Sequence, residues 1–407
     1  MQLRAFRALR PVPELAARVV SPPYDVVSRS EAAALAAGAP MSFLHVVRSD
    51  IDLPEDVDPH DSRVYEQARR NLDGLAADGV LVRDIDPALF VYREVMGARA
   101  QIGVVGCVSV ADYERDVIRK HERTRPDKED DRTRHILTLE AHAEPVLFAY
   151  RGSMEVDRLV ADAVKAPALY DLTTTDGVHH TVWKAPDAAA LVDAFARVPC
   201  AYVADGHHRS AGARRAAAER RGRDPRGVDA EHEWFPAALC PADQLAILPY
   251  HRLVRDLGGL TADEVLARLG RAGRLSPAAG AAPPRAGSFC IYLERRWHLL
   301  ELAPDSVDRA DPLRSLDVWL LGERVLGTVL GITDQGTDAR LDFVGGIRGT
   351  GALEARVDAG EAALAVSMFP TSMEQLMAVA DAGAIMPPKS TWFEPKLLSG
   401  FFVHPLD

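Results

Sequence analysis

One stretch constrains this chain more than any other: Pro199-Cys200-Ala201-Tyr202-Val203-Ala204-Asp205-Gly206-His207-His208-Arg209-Ser210-Ala211-Gly212-Ala213. The apolar run Ala201 to Ala204 reads as a short buried strand. Asp205-Gly206 ends it, and an Ala-rich helical pattern follows from about His208 to Arg221. A strand, a tight turn and a helix N-terminus therefore succeed one another, and the turn holds a carboxylate, a glycine, two imidazoles and a guanidinium. A helix N-terminus offers unpaired N–H groups and a partial positive charge. Gly206 allows close backbone approach, Arg209 can hold phosphate oxygens with two parallel hydrogen bonds, and His207 and His208 add donors. Asp205 can hold a metal ion or orient an imidazole. The plainer reading is a polar turn that stops a strand and starts a helix.

Other stretches carry chemistry. In His121-Glu122-Arg123-Thr124 and the charges after it, Glu122 is placed to accept a hydroxyl proton, with Arg125, Lys128 and Arg132 facing phosphate; most of this charge run otherwise reads as a wet helix face. Ser21-Pro22-Pro23-Tyr24-Asp25 is a rigid extended segment. In Met386-Pro387-Pro388-Lys389-Ser390-Thr391-Trp392-Phe393-Glu394-Pro395-Lys396, Lys389 and Lys396 can supply positive charge, while Trp392 and Phe393 can cover a base or dock the tail on the body. Lys389-Ser390-Thr391 mimics the end of a Walker loop, but prolines precede it where glycines are required. Of the seven arginines between 209 and 226 (Arg209, Arg214, Arg215, Arg220, Arg221, Arg223, Arg226), one or two are expected at phosphate and the rest on the wet face of the helix. Adjacent imidazoles such as His207-His208 diverge and suit zinc poorly. Mg²⁺, carried by phosphates and one or two carboxylates, is the expected ion.

The 407 residues suit two or three domains. A net charge of −11 disfavours broad nucleic-acid or anionic-membrane binding. Cys107, Cys200, Cys240 and Cys290 form no CxxC pair, which argues against a disulfide framework. No signal-peptide core or membrane-length apolar run is present, so a cytoplasmic protein is expected. Along the chain, a strand is expected over 3–10 and another over Phe43–Val47. A helix is expected over Ser62–Asp78 with Val64, Ala68, Leu72 and Leu75 on one face. Paired strands are expected at Leu89–Glu94 and Gln101–Val110, and a hairpin around Asp176-Gly177. Thr261 and Glu264 form a capping box, and Leu245 to Val254 reads as strand.

Asp205-Gly206-His207-His208-Arg209 resembles the DGHHR loop of archaeal free-serine kinases of the ParB/sulfiredoxin-like superfamily. Ser21–Ser28, His121–Pro126, Lys128–Arg132, Leu248-Pro249-Tyr250-His251-Arg252 and Met386–Lys396 resemble the domain-of-unknown-function 1015 family in family order. The resemblance implies an α/β (α+β) fold with a mixed sheet. A ParB/sulfiredoxin-like nucleotide-binding domain is expected over 1–245, and a C-terminal α+β domain over 246–407 whose tail returns to the site. It implies a kinase that uses ATP or ADP with Mg²⁺ to phosphorylate a serine-like hydroxyl compound. Glu122 or Asp25 would be the base, with His207 assisting. Asp205 to Arg209 would hold phosphate, with Asp205 at the metal. Tyr24, His121, Thr124, Arg132 and Lys389 would line the substrate site. A homodimer is part of the expectation. The alternatives are a ParB-like switch that binds CTP or another nucleotide, and a nucleotide hydrolase.

Overall fold

The structure is a computed structural model that describes residues 1–222 and 226–407. Arg223 lies outside the described residues. The chain divides into two units. The first comprises Met1–Lys120, Thr124–Leu245 and Pro395–Asp407; the second comprises His121–Arg123 and Ala246–Glu394.

The first unit is built on a nine-stranded mixed sheet. Its strands are β1 (Leu3–Arg4), β2 (Phe90–Met96), β3 (Arg99–Ser109), β4 (Ile118–Arg119), β5 (Val146–Tyr150), β6 (Tyr170–Thr173), β7 (His179–Lys184), β8 (Ala201–Asp205) and β9 (Trp234–Pro241). They lie in the order β4-β8-β5-β9-β3-β2-β7-β6, with β1 beside β3. Hairpin neighbours pair antiparallel, whereas β5 runs parallel to β9 and β4 parallel to β8. Continuous apolar runs such as Val146–Tyr150, buried at every residue, are what a strand covered on both faces requires.

The longer helices of this unit include α1 (Ser62–Ala77), α2 (Pro126–Leu139), α3 (Met154–Ala163), α4 (Ala188–Ala196) and α5 (His207–Arg220). Val64, Ala68, Leu72 and Leu75 form the buried stripe of α1, as their spacing demands. Pro126 opens α2 at a position where its missing N–H costs nothing. Helices α2 and α5 meet at Gly212, where a Cβ would stand 2.9 Å from the Cβ of Arg132. The last residues close the unit. Ser399 and Ser21 exchange backbone hydrogen bonds, Phe401 stacks on Tyr170 at 5.1 Å, and His404–Pro405 pairs with Ala141–His142.

The second unit carries a six-stranded antiparallel sheet. Its strands are β10 (Tyr250–Val254), β11 (Arg274–Pro277), β12 (Ser288–Leu293), β13 (Arg296–Glu301), β14 (Leu341–Gly345) and β15 (Leu364–Ser367), in the order β11-β13-β12-β15-β10-β14. The Thr261–Glu264 capping box starts a helix at Ala262, as expected.

Three expectations are corrected. Phe43–Val47 is not a strand: Leu44–Val47 is a helical turn, because a short apolar run fits either state and packing decided. The strand expected over 3–10 is two, Leu3–Arg4 and Leu9–Pro11, in different sheets. Pro249 splits the run from Leu245 to Val254 into Ala246–Leu248 and β10. The mixed α/β class agrees with the sequence reading. No described helix is long and apolar enough to cross a membrane.

Candidate functional site

Strand β8 ends in an irregularity. Its register against β5 shifts between Val203 and Asp205, which turns the Asp205 side chain out of the regular alternation. Gly206 follows at φ 96°, ψ 32° and serves as N-cap of α5. A side chain here would be strained twice, since a Cβ would stand 2.8 Å from Val146 Cγ1 and 3.1 Å from Arg209 Nε. Gly206 also has no side chain with which to cap the first-turn N–H groups, so α5 opens as an anion-seeking end.

Asp205 sits among cations. Its Oδ1 accepts from the Gly206 N–H at 3.0 Å and its Oδ2 from Lys396 Nζ at 3.2 Å, with Arg209 Nη2 at 3.7 Å. Burial alone would push this carboxyl up, but Lys396 and Arg209 together hold it well below the usual carboxylate range. His207 is buried, and desolvation pulls its imidazole down to about 3 against the attraction of Asp205, so it is neutral at pH 7. His208 Nε2 accepts from the Arg125 backbone N–H at 3.2 Å.

Behind the turn lies a chain of buried charge. Arg209 Nη1 donates to the Pro145 carbonyl at 2.6 Å. Burial works against its charge, yet Asp25, Glu144 and Asp205 raise its pKa above the ordinary arginine value. Glu144 Oε1 accepts from Ser399 Oγ at 2.6 Å and from the Tyr24 N–H at 3.3 Å, and burial lifts its carboxyl. The Tyr24 ring lies 3.9 Å from the Arg132 guanidinium. Arg132 in turn donates from Nε and Nη2 to Asp131 Oδ2 at 2.9 and 2.7 Å. Tyr65 OH donates to the other Asp131 oxygen at 2.8 Å. A cavity of about 20 Å³, lined by Arg132, His135, His142, Glu144 and Arg209 among others, offers room for a water molecule.

The first unit thus brings together Tyr24, Asp25, Arg132 and Asp205 to Arg209. Asp25 is exposed at the edge of the cluster. Thr124 lies one loop away, with its hydroxyl donating to Glu129. His121, Glu122 and Lys389 belong to the second unit. There the His121 carbonyl accepts from the Met386 N–H at 2.8 Å, and Lys389 lies at φ 56° with Nζ 5.5 Å from the Tyr250 ring.

Two expectations about arginine change. Arg209 and Arg132 are turned inward onto Pro145 and Asp131, not outward as phosphate clamps. Both Asp205 oxygens already accept hydrogen bonds, one from the Gly206 N–H and one from Lys396, with Arg209 Nη2 at 3.7 Å. Glu144 and Ser399 were missed by sequence reasoning. Each is a lone polar residue with no motif spacing, so only the fold reveals it.

The family model described as "Protein of unknown function (DUF1015)" matches residues 3–319. The chain belongs to this family. No curated protein matches it. Among solved structures, a conserved hypothetical protein from Pyrococcus furiosus aligns at 14% identity, covering 72% of this chain and 92% of that one, with a TM-score of 0.37. A free serine kinase in complex with AMP aligns at 12% identity, covering 71% and 86%, also with a TM-score of 0.37. SbnI with a C-terminal truncation, from Staphylococcus aureus, aligns at 13% identity, covering 74% and 87%, with a TM-score of 0.41.

Proposed function

We propose that this protein is a phosphotransferase that uses ATP or ADP to phosphorylate the hydroxyl of a small, serine-like molecule. One observation carries the reading: the positive-φ glycine turn that opens α5, with Lys396 Nζ held 3.2 Å from Asp205 beside it. The first-turn N–H groups of α5 would cradle a phosphate and Lys396 would neutralise its charge. Arg209 and Arg132 act as scaffold, holding the turn from behind. Mg²⁺ would arrive as the metal–nucleotide complex, since Asp205 is already engaged. The acceptor hydroxyl attacks the terminal phosphorus, its proton passes to Glu122 or Asp25, and the nucleotide leaves with one phosphate fewer.

The test is incubation with ATP or ADP, Mg²⁺ and a panel of hydroxy amino acids, read by mass spectrometry, with nucleotide binding measured by calorimetry. A phosphorylated product is expected. No product together with no nucleotide binding at millimolar concentration overturns the proposal. Of Glu122→Gln and Asp25→Asn, the one that removes the base should lower kcat by roughly 10²- to 10⁴-fold.

A further inference from the structure

Two buried imidazoles stack where the segment Pro395–Asp407 rejoins the first unit. His142 and His404 stand opposite each other across the short strand pair of Ala141–His142 and His404–Pro405, with ring centroids 5.7 Å apart and planes within 7° of parallel. They are 5% and 1% exposed. The nearest walls are apolar: Phe6 stands edge-on to His404 at 5.6 Å, and Phe235 lies 6.4 Å from His142. Just beyond, the Leu406 N–H donates to the Glu140 carbonyl at 2.8 Å, and the Leu406 side chain enters the core.

Charge around the pair is unevenly shared. Glu231 accepts from His404 Nε2 at 2.8 Å, but it is already paired with Arg4. Arg83, which pairs with Asp407 at 2.9 Å, adds positive charge near His404. On the other side, His142 hydrogen-bonds the Trp234 backbone and feels the charge of Arg220. It also lines the small cavity with Arg132, His135, Glu144 and Arg209. Glu144 is the one acid among these, and burial lifts its carboxyl. Glu140, beside Ala141, is taken up by Arg69 and Arg220 at 3.2 Å each. One carboxylate therefore serves two imidazoles and an arginine. Desolvation pulls both rings below the ordinary histidine value, so both are neutral at pH 7.

We propose that the His142–His404 stack is an acid-sensitive clasp: it keeps His404–Asp407 docked while both rings are neutral and lets that stretch open when they take up protons. An undocked ring in water titrates near the ordinary value of about 6.5, whereas a docked ring resists the proton. The docked form is therefore at full strength above that value and weakens as pH falls below it. Two stacked imidazolium ions would also repel, and Glu231 can offset only one of them. Opening loosens one anchor of the segment that places Lys396 beside Asp205. The clasp does not depend on the phosphotransferase reading, and it stands or falls without an activity assay.

Hydrogen exchange at the Leu406 amide of the full chain, expressed as protection relative to its intrinsic rate, measures the clasp. Between pH 6 and 5 the opening constant of the wild type should rise roughly 50-fold, as uptake of two protons demands; one proton gives less than about tenfold. The amides of Val146–Tyr150 should keep their protection over the same range, which separates local opening from unfolding. His142→Phe and His404→Phe each keep an aromatic ring in place and should reduce the rise to less than about tenfold, and the double variant should abolish it. Where a variant does not fold, the wild type decides alone. A wild-type rise below about tenfold, or an equal loss of protection at Val146–Tyr150, overturns the clasp. So does a folded double variant that keeps the wild-type pH dependence.

Discussion

Each unit of this protein buries an arginine, and the two solve the same problem in opposite ways. Arg209, in the first unit, is surrounded by carboxylates: Asp205 at 3.7 Å, with Glu144 and Asp25 acting on it through space. Arg252, in the second, is fully buried with no carboxylate partner among the described residues. It donates to the carbonyls of Tyr250, Lys389 (3.0 Å) and Pro388 (3.2 Å), and lies 4.9 Å from the Phe343 ring. Burial consequently pulls its guanidinium below the ordinary arginine value, whereas Arg209 is held above it. Carbonyls can fasten a cation but not balance it; carboxylates do both. Arg252 is thus a fastener that ties Pro388 and Lys389 to β10. Arg209 belongs to an electrically compensated cluster that leaves the neighbouring Lys396 ammonium at the edge of the turn.

The difference can be broken by mutation. Arg252→Met should cost most, roughly 4 kcal/mol, because the buried Tyr250 carbonyl and the half-buried carbonyls of Pro388 and Lys389 lose their donor. With no acid involved, that cost should be flat between pH 5 and 8 in urea titrations. Arg209→Met should cost roughly 3 kcal/mol at pH 7, and its cost should depend on pH. Burial already lifts the Glu144 carboxyl, so its negative charge lowers stability above the ordinary carboxylate value. Removing Arg209 enlarges that penalty at high pH and leaves it small once Glu144 is protonated. A flat profile for Arg209→Met would erase the distinction between the two arginines.

Gly206→Ala sharpens it. The added methyl meets Val146 and Arg209 Nε at positive φ, so a loss of about 1–3 kcal/mol in thermal unfolding is expected. Smallest in stability is Lys396→Met, about 1 kcal/mol. Asp205 contributes stability above the ordinary carboxylate pKa and loses it as pH falls through its depressed folded value. Without Lys396 that acid limb should flatten between pH 4 and 2. On the proposed function, calorimetry should show the same variant binding nucleotide at least about tenfold more weakly.

Much of the local structure was legible because it is written in periodicity and turn chemistry. The stripe of α1, the capping box at Thr261 and the hairpin around Asp176-Gly177 all depend on residues close in sequence. So did the strand, turn and helix around Gly206. What stayed hidden is set by distant partners. Nothing near Arg209 in the sequence reveals that Pro145, sixty-four residues away, takes its guanidinium. Likewise, nothing near His142 in the sequence reveals that His404 stacks on it.

The return of Pro395–Asp407 to the first unit has a consequence for synthesis. Ser399 reaches Glu144, Lys396 reaches Asp205, and Phe401 covers Tyr170, so that unit lacks these closing pieces until Pro395–Asp407 has been made. All of Ala246–Glu394 must leave the ribosome first. Ala246–Glu394 can therefore mature before the first unit, which must wait, with part of its interior open, for Pro395–Asp407.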